Sequence, residues 1–438
     1  MRQLQRSFVL SLLLAASAAA AVSAQTTGEI VGRVTDEQGG VLPGATVEAR
    51  SPALQGSRTA TSDETGSYRL TLLPPGDYAM TVTLEGFATD TREGITVHLA
   101  KDTTVNAVLT PAATEEITVL GEVPVVDTTS TNLGANLDTR AIQTLPTGRN
   151  YSSVVQIAPG VSSDAHPENT GQSSITVYGS TGAENVFYVD GVNTTGVEYG
   201  FQGKELNFEF IQAVDVKTGG YEAEFGRSTG GIINVITKSG GNEFHGDVFA
   251  YHDDDGLQTS AEEVVSTGGI QEGFTREDYG IDLGGYLIKD RLWFFAAYDR
   301  VSNDTDSSLP AGPLAGQVVT SKSERDLGAA KLTWRFSENQ SLIGSFFQDP
   351  RDDTGAINDA QHTLNGEPAT YTGVRSFGGK DYAVRYEAIL GGAWVVAGQV
   401  ARHEEENSIG PAAAGGDAIQ YRSVDDDFFQ SGGFGLVQ

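Results

Sequence analysis

The stretch GRSTGGIINVITKSGGNEFHG, from Gly226 to Gly246, decides how the second half of the chain is interpreted. Its first five residues fit the G-x-S-x-G pattern of a serine-hydrolase elbow, with Ser228 as the nucleophile. Such an elbow requires a helix after the serine, whereas the β-branched run IINVIT predicts a strand. A glycine-rich break at 239–242 then precedes a second predicted strand, FHGDVFAY. We therefore interpret the stretch as a structural joint and expect the chain to have no catalytic residues.

Composition narrows the possible functions of the 438-residue chain, which is long enough for two or three domains. Cysteine is absent, so disulfides and thiolate metal sites are excluded. The 58 acidic residues exceed the 28 basic ones and give a net charge of −30, which would repel nucleic acid. His403 and Glu406, and the run Asp253-Asp254-Asp255, are expected in exposed loops. We predict no metal and no cofactor.

The first residues of the chain have the pattern of an export signal. Arg2 and Arg6 precede an apolar, uncharged stretch that ends in Val22-Ser23-Ala24. Small residues before Gln25 suit signal peptidase, so residues 1–24 are predicted to be a cleaved signal peptide. No later segment is apolar and long enough to predict a transmembrane helix. An exported protein of this kind is periplasmic, secreted or an outer-membrane β-barrel.

Residues 25–111 predict a small β-sandwich. In YAMTVTLE, Tyr78, Met80 and Val82 alternate with polar neighbours, as in a half-buried strand. Turn sequences such as DETGS at 63–67 separate the strands. Residues 112–135 then form a polar, threonine-rich linker with one β-prone island at 116–120, which has the alternation needed to pair with another protein's sheet edge.

The rest of the chain shows two different patterns of predicted secondary structure. Residues 136–240 alternate short helices and strands, beginning with a helix that Asp138 caps. Residues 241–438 contain long alternating strands in hairpins that turn at Lys289-Asp290 and at 337–340. Short turns on one side and long polar loops on the other are typical of a transmembrane antiparallel β-barrel. The fold class is therefore mainly β: a sandwich, an α/β domain and the first seven or eight strands of a barrel.

Two known families carry the same motifs. GRVTDEQGGVLPGATVEA and TSDETGSYRLTLLPPGDYAMTV, in the sandwich, resemble the carboxypeptidase regulatory-like domain, which is a transthyretin-like module without a catalytic zinc site. NVFYVDGV at 185–192, LPTGRNYSSVVQIAPGV at 145–161 and the stretch from 214 to 251 resemble TonB-dependent outer-membrane receptors of the Oar-like branch. The resemblance implies that residues 136–240 are the plug and that residues 241–438 are part of the outer-membrane barrel.

The resemblance also implies which residues act. The island Glu116, Ile117, Thr118, Val119 and Leu120 would be the TonB box, which pairs with the periplasmic domain of TonB. TonB and its inner-membrane energising complex would then pull on the box and displace part of the plug.

The joint would be the hinge between plug and barrel. Its residues are Gly230, Gly231, Ser239, Gly240 and Gly241, and the glycines at 230–231 are expected to allow turns that side chains would block. The segment 239–242 is expected to be a flexible exit.

These implications predict a TonB-dependent receptor in the outer membrane, in contact with lipid, that imports a bulky nutrient such as an oligosaccharide or a peptide. The ligand-binding residues are unknown. A plugged barrel of this kind has about 22 strands, so the seven or eight expected after Gly240 predict a truncated chain. The alternative is a non-transport surface binding or adhesion protein that uses the sandwich and the plug. Sequence downstream of Gln438 would separate the two.

Overall fold

The computed structural model describes residues 26–112, 117–120, 133–145, 148–163, 175–196, 200, 202–221, 226, 228–257, 270–308, 316–357, 372–390, 394–411, 421–422 and 430–431. Three regions follow one another in these residues: a sandwich, an α/β plug and a long antiparallel sheet. The predicted fold class, which is mainly β, is confirmed. The predicted signal peptide at 1–24 lies outside the described residues.

The sandwich has two sheets around a core of its own. Its strands are β1 (Gly28–Asp36), β2 (Thr46–Arg50), β3 (Ser57–Thr61), β4 (Ser67–Leu73), β5 (Gly76–Thr83), β6 (Asp90–Val97), β7 (Asp102–Thr104) and β8 (Ala107–Leu109). One sheet has the order β4-β1-β7, with β8 also paired to β1, and the other begins β3-β2-β5-β6. Tyr78, Met80 and Val82 are buried on one face of β5, as their alternation predicts. The buried apolar cluster here contains only sandwich residues.

One further strand, β9 (Ile117–Leu120), joins the second sandwich sheet at its edge. It runs parallel to β6, with Ile117 opposite Asp90 and Leu120 opposite Glu93. The sheet order is therefore β3-β2-β5-β6-β9.

The plug is built on a five-stranded sheet with two short helices. Its elements are β10 (Leu133–Asp138), α1 (Thr139–Thr144), α2 (Tyr151–Val155), β11 (Val161–Ser163), β12 (Ile175–Val177), β13 (Val186–Val189), β14 (Val192–Asn193), β15 (Ile211–Gly219) and β16 (Ile232–Thr237). The main sheet has the order β10-β15-β16-β13-β14. The predicted cap is confirmed, since a carboxylate oxygen of Asp138 accepts a hydrogen bond from the Ala141 amide at 2.8 Å.

The C-terminal region forms one antiparallel sheet, which we call the barrel sheet. Its strands are β17 (Val248–Asp254), β18 (Ile270–Ile288), β19 (Leu292–Ser308), β20 (Val318–Ser337), β21 (Gln340–Gln348), β22 (Arg351–Ile357), β23 (Thr372–Leu390) and β24 (Trp394–Pro411), and β25 (Tyr421–Arg422) pairs separately with β26 (Gln430–Ser431). Both β21 and β22 lie between β20 and β23, so they form a single interrupted crossing. The predicted hairpin turns at 289–290 and 337–340 are confirmed.

Two sequence expectations about loops were wrong. Asp253 and Asp254 lie in β17, and His403 and Glu406 lie in β24. These polar segments form strands and not loops, because the inner face of a barrel strand carries polar side chains. His403 shows this, since its Nδ1 lies 2.6 Å from Asp381 on the neighbouring strand.

The two faces of the barrel sheet differ in polarity. On β20, Leu332, Trp334 and Phe336 are exposed, whereas Lys331 and Thr333, which point to the opposite face, are buried. Exposed apolar side chains continue the outward face on β18, β23 and β24, at Tyr279, Ile281, Leu283, Tyr382, Val384, Trp394, Val396 and Val400. An apolar outside and a polar inside are typical of outer-membrane strands. Among the helices that the structure describes, none is long and apolar enough to cross a membrane.

The plug packs against the inner face of the barrel sheet. Its apolar core extends into the wall through inward-facing Phe295, Leu327, Ala329 and Phe347 of β19, β20 and β21. Plug and wall therefore share one hydrophobic cluster, while the sandwich core stays separate.

Candidate functional site: the plug and its polar contacts with the barrel wall

The most completely buried ion pair between plug and wall joins Lys204 to Asp349. The two side chains are 0% and 5% exposed, and Nζ lies 3.2 Å from Oδ1. Nζ also donates to the Glu404 carbonyl at 2.8 Å, and the other carboxylate oxygen accepts from the Glu205 amide at 2.8 Å. The Gly379 amide donates to Oδ1 at 3.0 Å. Each charge has several partners, as a buried pair needs if it is to offset its desolvation.

A second anchor lies at the ends of two central plug strands. Asp190 follows β13 in a tight turn with a left-handed φ of 48°, which aspartate tolerates better than most residues. Its carboxylate accepts from the Thr237 amide at 3.0 Å and from the Lys331 Nζ at 2.9 Å. Nζ also donates to the Thr237 carbonyl at 2.9 Å. Lys331 of the wall thus holds the ends of both β13 and β16.

A third contact centres on Arg149, which precedes α2. Its Nε lies 2.7 Å from an Asp278 carboxylate oxygen on β18. The guanidinium carbon lies 3.5 Å from the ring centroid of Tyr251 and 5.0 Å from that of Phe249, both on β17. Arginine stacks on aromatic faces while donating in its plane, so one side chain binds two wall strands.

A polar cavity of about 230 Å³ opens beside this contact, between plug and wall. Considering the residues that the structure describes, four buried side-chain atoms in its lining have no hydrogen-bond partner: Arg149 Nη2, Glu205 Oε1, Asp278 Oδ1 and Asp299 Oδ1. Burial raises the pKa of the plug residue Glu205 from its ordinary 4.5 to about 7, although the positive charge of Arg325 opposes the shift. The cavity combines donors and acceptors of both charges, so it suits water or a polar ligand.

The predicted hinge residues lie in tight packing. Gly230 and Gly231 have ordinary φ angles, so the expectation of glycine-only turns there was wrong. Glycine is required here by close packing, because a Cβ on Gly230 would overlap the Asn185 side chain. A Cβ on Gly240 would overlap the carbonyl oxygens of Phe294 and Gly285 in the wall. A Cβ on Gly241 would lie 3.0 Å from the Pro52 carbonyl oxygen.

The exit from the plug is tied to the turn between β18 and β19 of the barrel sheet. Asn242 donates to the Asp290 carboxylate at 2.7 Å, and its Oδ1 accepts from the Asp290 amide at 3.0 Å and from Trp293 Nε1 at 2.8 Å. The segment 239–242 is therefore held at the turn rather than free. Ser239 lines a cavity of about 90 Å³ at this end, between sandwich, plug and wall.

The sandwich contacts both other regions through backbone carbonyls. Arg335 of the wall donates to the Gln55 carbonyl at 2.9 Å, and Gln55 Nε2 donates to the Gly240 carbonyl at 3.2 Å. Asn136 of the plug donates to the Leu99 carbonyl at 3.0 Å. The sandwich thus lies over the joint between plug and barrel sheet.

The structure also shows where Ser228 and the predicted TonB box lie. Ser228 is structural, since its Oγ lies 3.1 Å from the carbonyl oxygens of Glu184 and Gly231. Of the predicted TonB box, Glu116 lies outside the described residues, and Ile117–Leu120 form β9. Among the described residues, no group of three or more His, Asp or Glu side chains is placed to hold a metal.

Sequence reasoning missed the wall anchors, although one signal was visible. Asp190 lies in the motif VDGV, in which a carboxylate at a strand end precedes a glycine turn. Lys204 and Asp349 are 145 positions apart, so their pairing could not be recognised without the fold.

Comparison with known proteins agrees with this arrangement. Three family models match in succession: a carboxypeptidase regulatory-like domain at 29–110, a TonB-dependent receptor plug domain at 126–232 and an outer membrane β-barrel domain at 236–317. The chain thus carries, in succession, the domains of a TonB-dependent receptor. TonB-dependent receptors are outer-membrane β-barrel proteins, and those of known activity are transporters rather than enzymes.

Two curated relatives are similar to parts of the chain. It is 38% identical, over 285 residues, to the TonB-dependent transporter Oar of Myxococcus xanthus, and the match covers 61% of this chain and 26% of Oar. It is 26% identical, over 231 residues, to the probable TonB-dependent siderophore receptor PirA of Acinetobacter baumannii, covering 48% of this chain and 29% of PirA. The chain therefore spans less than a third of the length of either relative.

A solved structure supports the fold. The crystal structure of the outer membrane transporter YddB from Escherichia coli superimposes with a TM-score of 0.54 at 19% identity. The superposition covers 69% of this chain and 43% of YddB.

Proposed function

We propose that this TonB-dependent receptor imports a bulky nutrient across the outer membrane and that TonB drives the import by pulling on Ile117–Leu120. The observation that carries the proposal is the position of β9. It is a short strand whose outer edge is unpaired among the described residues, and residues 121–132 join it to the plug strand β10. Open strand edges pair readily with an added strand, so β9 is suited to a TonB domain.

The plug contacts support a gating role. Lys204, Asp190 and Arg149 hold the plug to the wall through a few buried ion pairs, so loss of these contacts would release the plug at defined places. Transport would require part of the plug to leave the wall while the rest stays seated. Export through a signal peptide at 1–24 and hinge roles for Gly230, Gly231, Ser239, Gly240 and Gly241 belong to the same proposal.

The lining of the 230 Å³ cavity favours a nutrient with neutral or balanced polarity. The guanidinium groups of Arg149, Arg276 and Arg325 lie beside the carboxyl groups of Glu205, Asp278 and Asp299. Such a surface suits the hydroxyl groups of an oligosaccharide or the amides of a peptide better than a ligand of one dominant charge. Because the name of the PirA relative includes a siderophore, ferric siderophores form the comparison set in a ligand-binding assay.

Binding of a TonB periplasmic domain to the full chain in detergent micelles tests the proposal. Proline at position 117 removes a backbone donor, so Ile117→Pro should abolish binding. Ser130→Pro, in the connector outside the box, is the matched control and should leave binding unchanged.

Two results would contradict the proposal. Binding that survives Ile117→Pro would place the TonB contact elsewhere. No binding by any form would favour the alternative, a non-transport surface protein that binds a partner through its sandwich and plug.

A further inference from the structure

The edge of the sandwich that carries β9 has a defined length. Backbone pairing between β6 and β9 spans four residue pairs, from Asp90–Ile117 to Glu93–Leu120. Gly94 follows with a φ of +75°, and the pairing of β6 with β5 shifts register between Tyr78 and Met80. Such a bulge ends regular pairing and turns the edge away. The sandwich edge therefore accepts a strand of about the length of the predicted TonB box.

The chain just before β9 is also fixed to the sandwich. The Ala88 amide donates to the Thr110 carbonyl at 2.9 Å, and the Ala112 amide donates to the Gly86 carbonyl at 2.9 Å. These bonds hold residues 110–112 beside the loop that leads into β6. Since Ile117 is only five positions beyond Ala112, the strand is tethered close to its docking edge, which lowers the entropic cost of pairing.

The opposite edge of β9 is open. β9 is the last strand in the sheet order, and within the described residues nothing pairs with its outer side. A strand held extended with one free edge is a template for another chain. Displacement from β6 is therefore not needed before a partner strand can add.

From this arrangement we propose that the sandwich is a platform for TonB: it holds Ile117–Leu120 extended, and a strand of the TonB periplasmic domain adds to the free edge of β9 as the next strand of the sandwich sheet. This inference rests on the proposed function. The sandwich has its own core, so it can hold β9 in an extended conformation before TonB binds. A free segment would lose backbone freedom at every residue when TonB bound, whereas the docked strand has already lost it.

A disulfide lock tests the platform directly. The chain has no cysteine, so Thr91→Cys with Thr118→Cys provides a single possible bridge between paired residues of β6 and β9. Neighbouring strands lie about 4.8 Å apart, within the range that a disulfide spans. Binding of a TonB periplasmic domain is measured on the full chain in micelles, oxidised and then reduced, so that the reduced form controls for the substitutions.

The platform predicts that the disulfide forms readily and that the oxidised chain binds TonB at least as tightly as the reduced chain. Hydrogen exchange should show that Thr91–Glu93 stay protected in the wild-type complex. An oxidised chain that binds tenfold or more weakly would overturn the inference, because TonB would then need β9 released. Failure of the disulfide to form would also overturn it.

Failure of the proposed function would look different. In that case the wild-type and reduced chains would not bind TonB at all, whereas the disulfide, read by mass, would still form.

Discussion

Replacing Lys204 with methionine tests whether buried polar contacts seat the plug. Methionine keeps the length and apolar stem of lysine but removes the charge, so the Asp349 carboxylate keeps only its two backbone donors, the amides of Glu205 and Gly379. Removing one partner of a buried pair costs about 3–5 kcal/mol. Since a factor of ten corresponds to about 1.4 kcal/mol, the opening equilibrium of the plug should rise roughly 100- to 4,000-fold.

Hydrogen exchange of plug amides, followed in the full chain in micelles, measures this equilibrium. Amides of β13 and β16, the central plug strands, should lose protection in Lys204→Met. The matched control is Arg402→Met, which breaks an exposed pair with Glu404 on the same wall. Exposed pairs contribute about 0–1 kcal/mol, so the control should change exchange less than tenfold. Equal exchange in the two variants would refute the view that Lys204 seats the plug.

Two further predictions follow from packing and charge. Gly240→Ala should destabilise the chain by about 1–3 kcal/mol, because the new Cβ would overlap the backbone carbonyl of Phe294. Gly398→Ala is the control, since its Cβ would lie in open space, and it should leave the midpoint of thermal unfolding unchanged. For Glu205 the folded-state pKa of about 7 exceeds its ordinary 4.5, so the unfolded state ionises first and stability falls as pH rises from 4.5 to 7. Above pH 7 the free energy of unfolding is lower by about 3 kcal/mol, and by less if the Arg325 side chain moves closer to the ionised carboxylate. Glu205→Gln should therefore raise the midpoint of thermal unfolding at pH 8 but not at pH 4, and an equal change at both would contradict the argument.

The regular elements of the fold could be read from local pattern. The cap at Asp138, the alternation through Tyr78, Met80 and Val82 and the turn at Lys289-Asp290 each depend on neighbours in sequence. Period-two alternation with opposite polarity on two faces also predicted the barrel sheet. Local chemistry was sufficient in these places because backbone geometry and side-chain direction are set within a few residues.

The candidate site could not be read in the same way. Lys204 contacts Asp349, and Asp190 contacts Lys331, only because the plug packs against the inner face of the barrel sheet. In the sequence, each of these residues looks like an ordinary surface charge. The same limit explains the glycines at the joint: Gly240 is required by a wall strand about 50 positions away, and its φ gives no sign of that.

The order of strands in the plug indicates where a pull would act first. On the proposed function, force on β9 passes through residues 121–132 to Leu133 at the start of β10. Within the part of the chain that the structure describes, β10 is an edge strand that pairs with β15 alone, from Leu133–Gly219 to Asp138–Ala213, and its Leu137 is buried. The ends of β13 and β16, by contrast, are tied to the wall by Lys331. Peeling the edge strand therefore breaks fewer buried contacts than unseating the central strands, so the arrangement favours partial opening over expulsion of the whole plug.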